Sequence, residues 1–149
     1  MNSGAETDLI GVVVVTHGQL ATELVNAAET IVGDLPQFTA VSIGWHDDVT
    51  IAREAIAAAI EKVDGGRGVL LLTDMFGGTP TNLGLSFLAA GSRDVVTGAN
   101  LPMLIKLAKI TETGDLSSVS QQICEHGRAA IRVASDLLRA DADVPGRQG

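Results

Sequence analysis

The chain has 149 residues, a net charge of −8 and 46 % hydrophobic residues, but 3 % aromatics and no tyrosine. That length fits one domain with an aliphatic core, and the acidic balance argues against a nucleic-acid binder, which needs a basic patch to displace counterions. Cys124 is the single cysteine and allows no internal disulfide. The longest apolar stretch, Ile10 to Val15, is far shorter than the roughly 20 residues that span a bilayer. Met1 to Asp8 has no basic segment of the secretory type, and the reading is of a cytoplasmic protein.

Short aliphatic runs alternate with longer amphipathic ones. Leu9 to Val15 predicts a strand buried on both faces, as a parallel sheet requires. Gln19 to Val32 predicts a helix with Leu20, Leu24, Ala27, Ala28 and Ile31 on one stripe, ended by Gly33. Phe38 to Ile43 predicts a second strand, and Asp48 to Val63 a second helix with Ile56, Ile60 and Val63 inward. Gly65 to Gly68 is a turn, followed by a third buried strand at Val69 to Thr73. A third helix is expected from Thr79 to Ala90, a short fourth strand from Asp94 to Thr97, and a brief helix from Pro102 to Lys109. Leu116 to His126 reads as a helix stopped by Gly127, and Ala130 to Ala134 alternates as a final strand. The series predicts an α/β, doubly wound, mainly parallel sheet in the order 2-1-3-4. One domain over residues 8–140 is expected, with polar tails at 1–7 and 141–149.

In such a sheet, ligands bind beyond the carboxyl ends of strands, where the strand order reverses. Strand 1 ends in Thr16-His17-Gly18, and strand 3 runs into Asp74-Met75-Phe76-Gly77-Gly78-Thr79-Pro80-Thr81-Asn82. With strands 1 and 3 adjacent, His17 and Asp74 should face each other within hydrogen-bonding range. A histidine nucleophile needs one ring nitrogen free and its tautomer fixed, and a carboxylate accepting from the other N–H supplies both. The same pair would also arise where a histidine is merely satisfied by a neighbouring carboxylate. Thr79 reads as the N-cap of helix 3 with Pro80 at its first position. Gly77 and Gly78 would let the backbone approach an anion at the helix N-terminus; a plain turn before a capped helix reads equally from these four residues. No triphosphate-binding G-x-x-x-x-G-K-[ST] loop, dinucleotide fingerprint or nucleophile elbow is present. His46 could line the rim of the crevice or simply sit in a solvated loop. His126 and Cys124 read as structural, since no cluster of metal ligands accompanies them.

Three ordered segments resemble one family, the enzyme IIA domain of the mannose-type (mannose/fructose/sorbose) sugar phosphotransferase system. They are Val15-Thr16-His17-Gly18, the Asp74 to Asn82 segment, and Gly98-Ala99-Asn100-Leu101-Pro102-Met103. The agreement in order and spacing extends over about Leu9 to Leu138. The resemblance implies that His17 carries a phosphoryl group on Nε2 and that Asp74 orients its ring. Thr16, Phe76, Gly77, Gly78 and Thr79 would border the phosphoryl site, with no cofactor and no metal. The donor would be the phosphorylated histidine-containing phosphocarrier protein and the acceptor an enzyme IIB, at the surface of a membrane IIC/IID complex. It also implies a homodimer that exchanges an antiparallel edge strand, which here would be Ala130 to Ala134. Phe76 stands where relatives often have Trp, and Thr79 where they often have Ser. No IIB segment follows in this sequence, so a separate acceptor is expected. A regulatory module read by a partner, or the phosphotransfer subunit of a dihydroxyacetone kinase, would use the same histidine.

Overall fold

Residues 9–44, 46–112 and 114–143 are described by a computed structural model of the chain. Four strands form one sheet in the order β2-β1-β3-β4, every neighbouring pair parallel. They are β1 (Gly11–His17), β2 (Phe38–Ile43), β3 (Val69–Thr73) and β4 (Arg93–Thr97). Between and after them run α1 (Leu20–Val32), α2 (Val49–Val63), α3 (Gly78–Leu85), α4 (Leu101–Ile110), α5 (Leu116–Ala129) and α6 (Ala134–Asp143).

The valine and leucine runs of β1 and β3 are buried on both faces because helices cover both. Side chains alternate across the sheet, so the core divides in two. Val12, Val14, Leu70 and Leu72 pack with Ala21 and Ala28 of α1, Leu104 and Leu107 of α4, and Val119 and Ile123 of α5. Val13, Val15, Val69 and Leu71 pack on the other face against Ile56 and Ile60 of α2 and Leu83 of α3. The helices start where short polar side chains cap them: Asp48 accepts from the N–H groups of Thr50 and Ile51, Asn100 from Met103, and Asp115 from Ser118.

The predicted α/β sheet and its order are thus observed, with four local differences. First, β1 runs two residues further than expected, because Thr16 and His17 pair with Ser42 and Ile43 at the end of β2. Second, α3 begins at Gly78, is capped by Gly77, and stops at Leu85 instead of Ala90. The chain then turns tightly, with Phe87 N–H donating to Gly84 O and Arg93 N–H to Ala89 O.

Third, α5 does not stop at Gly127 but continues to Ala129. Gly127 is there for space: a Cβ would lie 2.6 Å from Met103 Sδ of α4. The Asn100 amide also donates to Gly127 O at 3.2 Å. Fourth, the strand expected at Ala130 to Ala134 is absent among the described residues. Four residues, 130–133, link α5 to α6, which opens at Ala134. A strand needs a neighbour to receive its hydrogen bonds, and the bonds of this stretch are local ones, Ile131 N–H to Arg128 O and Asp136 N–H to Val133 O. The isolated bridge between Ala89 and Arg93 is the antiparallel pairing among the described residues. The expected tail at 141–149 is in part helical, since α6 reaches Asp143. Residues 144–149 and the expected tail 1–7 lie outside the described residues.

Candidate functional site

β1 and β3 are hydrogen-bonded neighbours, so the residues that leave their carboxyl ends meet. His17 is the last residue of β1, and Asp74 follows the last residue of β3. One carboxylate oxygen of Asp74, Oδ2, accepts twice from His17: from the backbone N–H at 3.1 Å and from the ring at Nδ1 at 2.8 Å. The two bonds fix both the position of the histidine backbone and the plane of its ring. Asp74 Oδ1 is buried without a hydrogen-bond partner among the described residues, so the carboxylate's interactions concentrate on the oxygen that holds the imidazole. The His17 side chain is 48 % exposed and that of Asp74 13 %. A macromolecule can therefore reach the ring but not the acid behind it.

With Nδ1 donating to Asp74, the lone pair lies on Nε2. Nε2 faces Gly78, where a Cβ would lie 3.1 Å from both Nε2 and Cε1. Gly78 has φ of +84°, a conformation other residues rarely adopt. Glycine thus meets two demands at once, the turn into α3 and clearance over the reactive nitrogen. Gly78 is also the first residue of α3, so the unpaired N–H groups of the helix and the positive end of its dipole lie next to Nε2. That arrangement would favour an anionic group at this nitrogen. His17, Gly18, Ile43, Gly44 and Thr79 line a cavity of about 420 Å³ here.

The other expected site residues divide. Gly77 caps α3, Gly78 abuts the ring, and Thr79 lines the cavity, although as the second helical residue and not the N-cap. Pro80 correspondingly stands at the third helical position. Thr16 is fully buried, and its hydroxyl accepts from Ala21 N–H at 2.7 Å. It serves the first turn of α1 and does not face the cavity, a consequence of the longer β1. Phe76 is 80 % exposed and borders a different cavity, of about 460 Å³, along the open edge of β4 with Val96, Gly98, Cys124 and Arg128. His46 is exposed on the turn after β2, outside the lining of the His17 cavity.

Sequence reasoning passed over two threonines. Thr73 and Thr81 are buried, their hydroxyls are 2.7 Å apart, and Thr81 Oγ1 donates to Met75 O at 2.5 Å. Thr81 is the fourth residue of α3, directly after Pro80. A hydroxyl in the first turn of a helix, below a strand ending in another, is the signal that marks them.

Chemically, the arrangement is a nucleophilic ring nitrogen with its tautomer fixed by an acid at charge-assisted bonding distance. The positive charge gained when Nε2 forms a bond is offset by Asp74, and negative charge on the incoming group by the N-terminus of α3.

Comparison with known proteins identifies relatives of the same kind. The family described as "PTS system fructose IIA component", EIIA-man, matches residues 11–124. The chain is 28 % identical over 144 residues to the PTS system fructose-specific EIIA component of Bacillus subtilis, covering 89 % of this chain and 99 % of that protein. It is 32 % identical over 103 residues to the PTS system mannose-specific EIIAB component of Escherichia coli K12, covering 65 % of this chain and 30 % of that longer protein. Among solved structures, the PTS IIA protein associated with the fucose utilization operon from Streptococcus pneumoniae superposes with a TM-score of 0.80 at 25 % identity, over 90 % of this chain and 98 % of that one. The mannose/sorbose specific IIA subunit from Enterococcus faecalis gives 0.74 at 26 % identity, over 84 % and 94 %. A parallel sheet in the order 2-1-3-4, a histidine and an aspartate meeting at its crest, and a family match over most of the length lead to one conclusion: the chain belongs to the EIIA-man family, the mannose-type IIA phosphotransfer components of sugar phosphotransferase systems.

Proposed function

We propose that His17 is the phosphoryl carrier of this protein and Asp74 its orienting acid. Nε2 attacks the phosphorus of the phosphorylated histidine-containing phosphocarrier protein, the donor's own P–N bond breaks, and the donor histidine leaves with its ring neutral. The group then passes by the reverse chemistry to an enzyme IIB, which hands it on for sugar uptake at a membrane IIC/IID complex. The reaction takes place in the cytoplasm.

The observation that carries this reading is the 2.8 Å contact between His17 Nδ1 and Asp74 Oδ2, with Nε2 turned to the glycine-lined start of α3. Gly77, Gly78 and Thr79 receive the phosphoryl oxygens, Thr79 through its backbone N–H and its hydroxyl. The match to a fructose-specific IIA component over nearly its whole length supports the same assignment.

The protein works as a homodimer. Ile131 and Val133 are 78 % and 62 % exposed, and β4 pairs on one side only. An open sheet edge is normally covered, and the Ala130 to Ala134 segment of a second copy covers it in this reading.

The test is a reconstituted transfer reaction. Protein incubated with the phosphorylated phosphocarrier should gain one acid-labile phosphoryl group and lose it when a purified IIB is added. Failure to gain the group rejects the carrier role. Gain without release to any IIB would point instead to a regulatory module.

A further inference from the structure

The loop that carries Asp74 is exposed on its outer side. Met75 is 52 % and Phe76 80 % accessible, so neither side chain anchors it. Its backbone is held from beneath instead. Thr73 Oγ1 and Thr81 Oγ1 lie 2.7 Å apart, and Thr81 Oγ1 donates at 2.5 Å to Met75 O. Because the Thr81 proton is committed to the carbonyl, Thr73 is the donor between the two hydroxyls. The result is a directed chain, Thr73 O–H to Thr81 O–H to Met75 C=O. Thr73 is 0 % and Thr81 1 % exposed, and water does not compete for either hydroxyl.

We infer that Thr81, backed by Thr73, is a positioning residue for the His17–Asp74 pair. The hydroxyl chain ties three points together: the last residue of β3, the carbonyl of Met75 directly after Asp74, and the first turn of α3. These are the supports of Asp74 on one side and of Gly78 on the other. In a buried environment consecutive hydroxyl bonds strengthen one another, and an unpaired buried carbonyl or hydroxyl is unfavourable. Loss of the Thr81 oxygen leaves both Met75 C=O and Thr73 O–H without this partner. The peptide then moves outward to find water, taking Asp74 Oδ2 away from His17 Nδ1. Neither threonine touches the reacting nitrogen, so the effect falls on tautomer and alignment and not on docking of the donor. A further tie acts from the other side of β3, where Ala99 N–H donates to Thr73 O at 2.9 Å; it holds the strand end but not the loop, which leaves the loop to Thr81.

This inference rests on His17 as the phosphoryl acceptor, and its test separates the two. Thr81→Val keeps shape and removes the hydroxyl; Thr81→Ser keeps the hydroxyl. In the unphosphorylated protein, nitrogen NMR of the His17 ring and of its backbone amide reads the contact with Asp74 without any transfer reaction. Thr81→Val should lose the slowly exchanging Nδ1–H signal of His17 and populate both tautomers, and Thr81→Ser should restore the wild-type spectrum. In phosphorylation assays Thr81→Val should lower kcat about 10- to 100-fold, as misalignment near 1 Å does, with KM for the donor unchanged. If Thr81→Val does not fold, Thr73→Val, which retains the bond from Thr81 to Met75, takes its place with a smaller loss in the same signals. A wild-type His17 spectrum in a folded Thr81→Val or Thr73→Val protein overturns the inference, whatever the transfer assay gives. A changed spectrum with no phosphorylation of the wild type would uphold the hydroxyl chain and reject the carrier role.

Discussion

The crest of the sheet and the C-terminal segment both expose large apolar side chains, yet they are built in opposite ways. At the crest, Phe76 and Met75 are exposed on a loop whose neighbours are fixed by side-chain contacts between different elements, His17 to Asp74 and Thr73 to Thr81. At the C-terminal segment, Ile131 and Val133 are exposed on a link held by short-range bonds between adjacent turns. The first region is complete within one chain, with its reactive geometry formed in advance of any partner. The second has an apolar alternation that buries nothing within one chain. The proposed chemistry thus falls to one region and the proposed assembly to the other, and substitutions can separate them.

The largest effect is expected from His17→Ala. The side chain is exposed at a strand end, so the fold should survive, while intact-mass measurement after reaction with the phosphorylated donor should show no added phosphoryl group. Addition of the group to the variant would break the assignment of chemistry to the crest. Asp74→Asn comes next. The amide can still accept from Nδ1–H, but it cannot offset positive charge and can equally present its NH₂ and select the other tautomer. A loss of about 10²–10⁴-fold in stopped-flow transfer is expected, and wild-type rates would remove the acid from the mechanism.

Gly78→Ala should act more mildly. A Cβ there lies 3.1 Å from Nε2, and the residue must hold φ of +84°. A penalty of about 1.4 kcal/mol on the reacting geometry corresponds to about tenfold in rate, measurable in the same stopped-flow experiment. The smallest effect on transfer is expected from the double substitution Ile131→Asp with Val133→Asp. Light scattering should show the dimer converted to monomer, while the mass gain at His17 persists. Loss of phosphorylation together with the dimer would show that the site is shared between copies and that the two regions are not separable.

The same contrast explains what could be read from the sequence. His17 and Asp74 were legible because a strand order of 2-1-3-4 brings two strand ends together whatever the details of the loops. The second helix was legible to within one residue of its start, Asp48 being the cap of a helix that opens at Val49, and the buried valines of β1 could only suit a sheet covered on both faces. The start of α3 was not, because in Gly-Gly-Thr-Pro the threonine has the better capping side chain, yet Gly77 takes the position with φ of +94°. Thr16 reaches the phosphoryl border only through the resemblance, and two extra ladder pairs with β2 carry its hydroxyl into the interior, against α1. Gly127 reads as a helix stop by propensity, and tertiary packing against Met103 overrides it. Ile131 and Val133 have a strand's period with no strand beside them among the described residues. Period alone describes how side chains would face, and pairing decides whether a strand forms.

The account turns on one atom, Nε2 of His17, made reactive because Asp74 holds Nδ1. Long-range proton–nitrogen NMR of the phosphorylated protein, with the ring nitrogens labelled, identifies the atom directly. Phosphorus coupling and the nitrogen shift of a phosphoryl-bearing site should fall on Nε2 of His17, with Nδ1 still protonated toward Asp74. Phosphorus on Nδ1, or on His46 or His126, would contradict it.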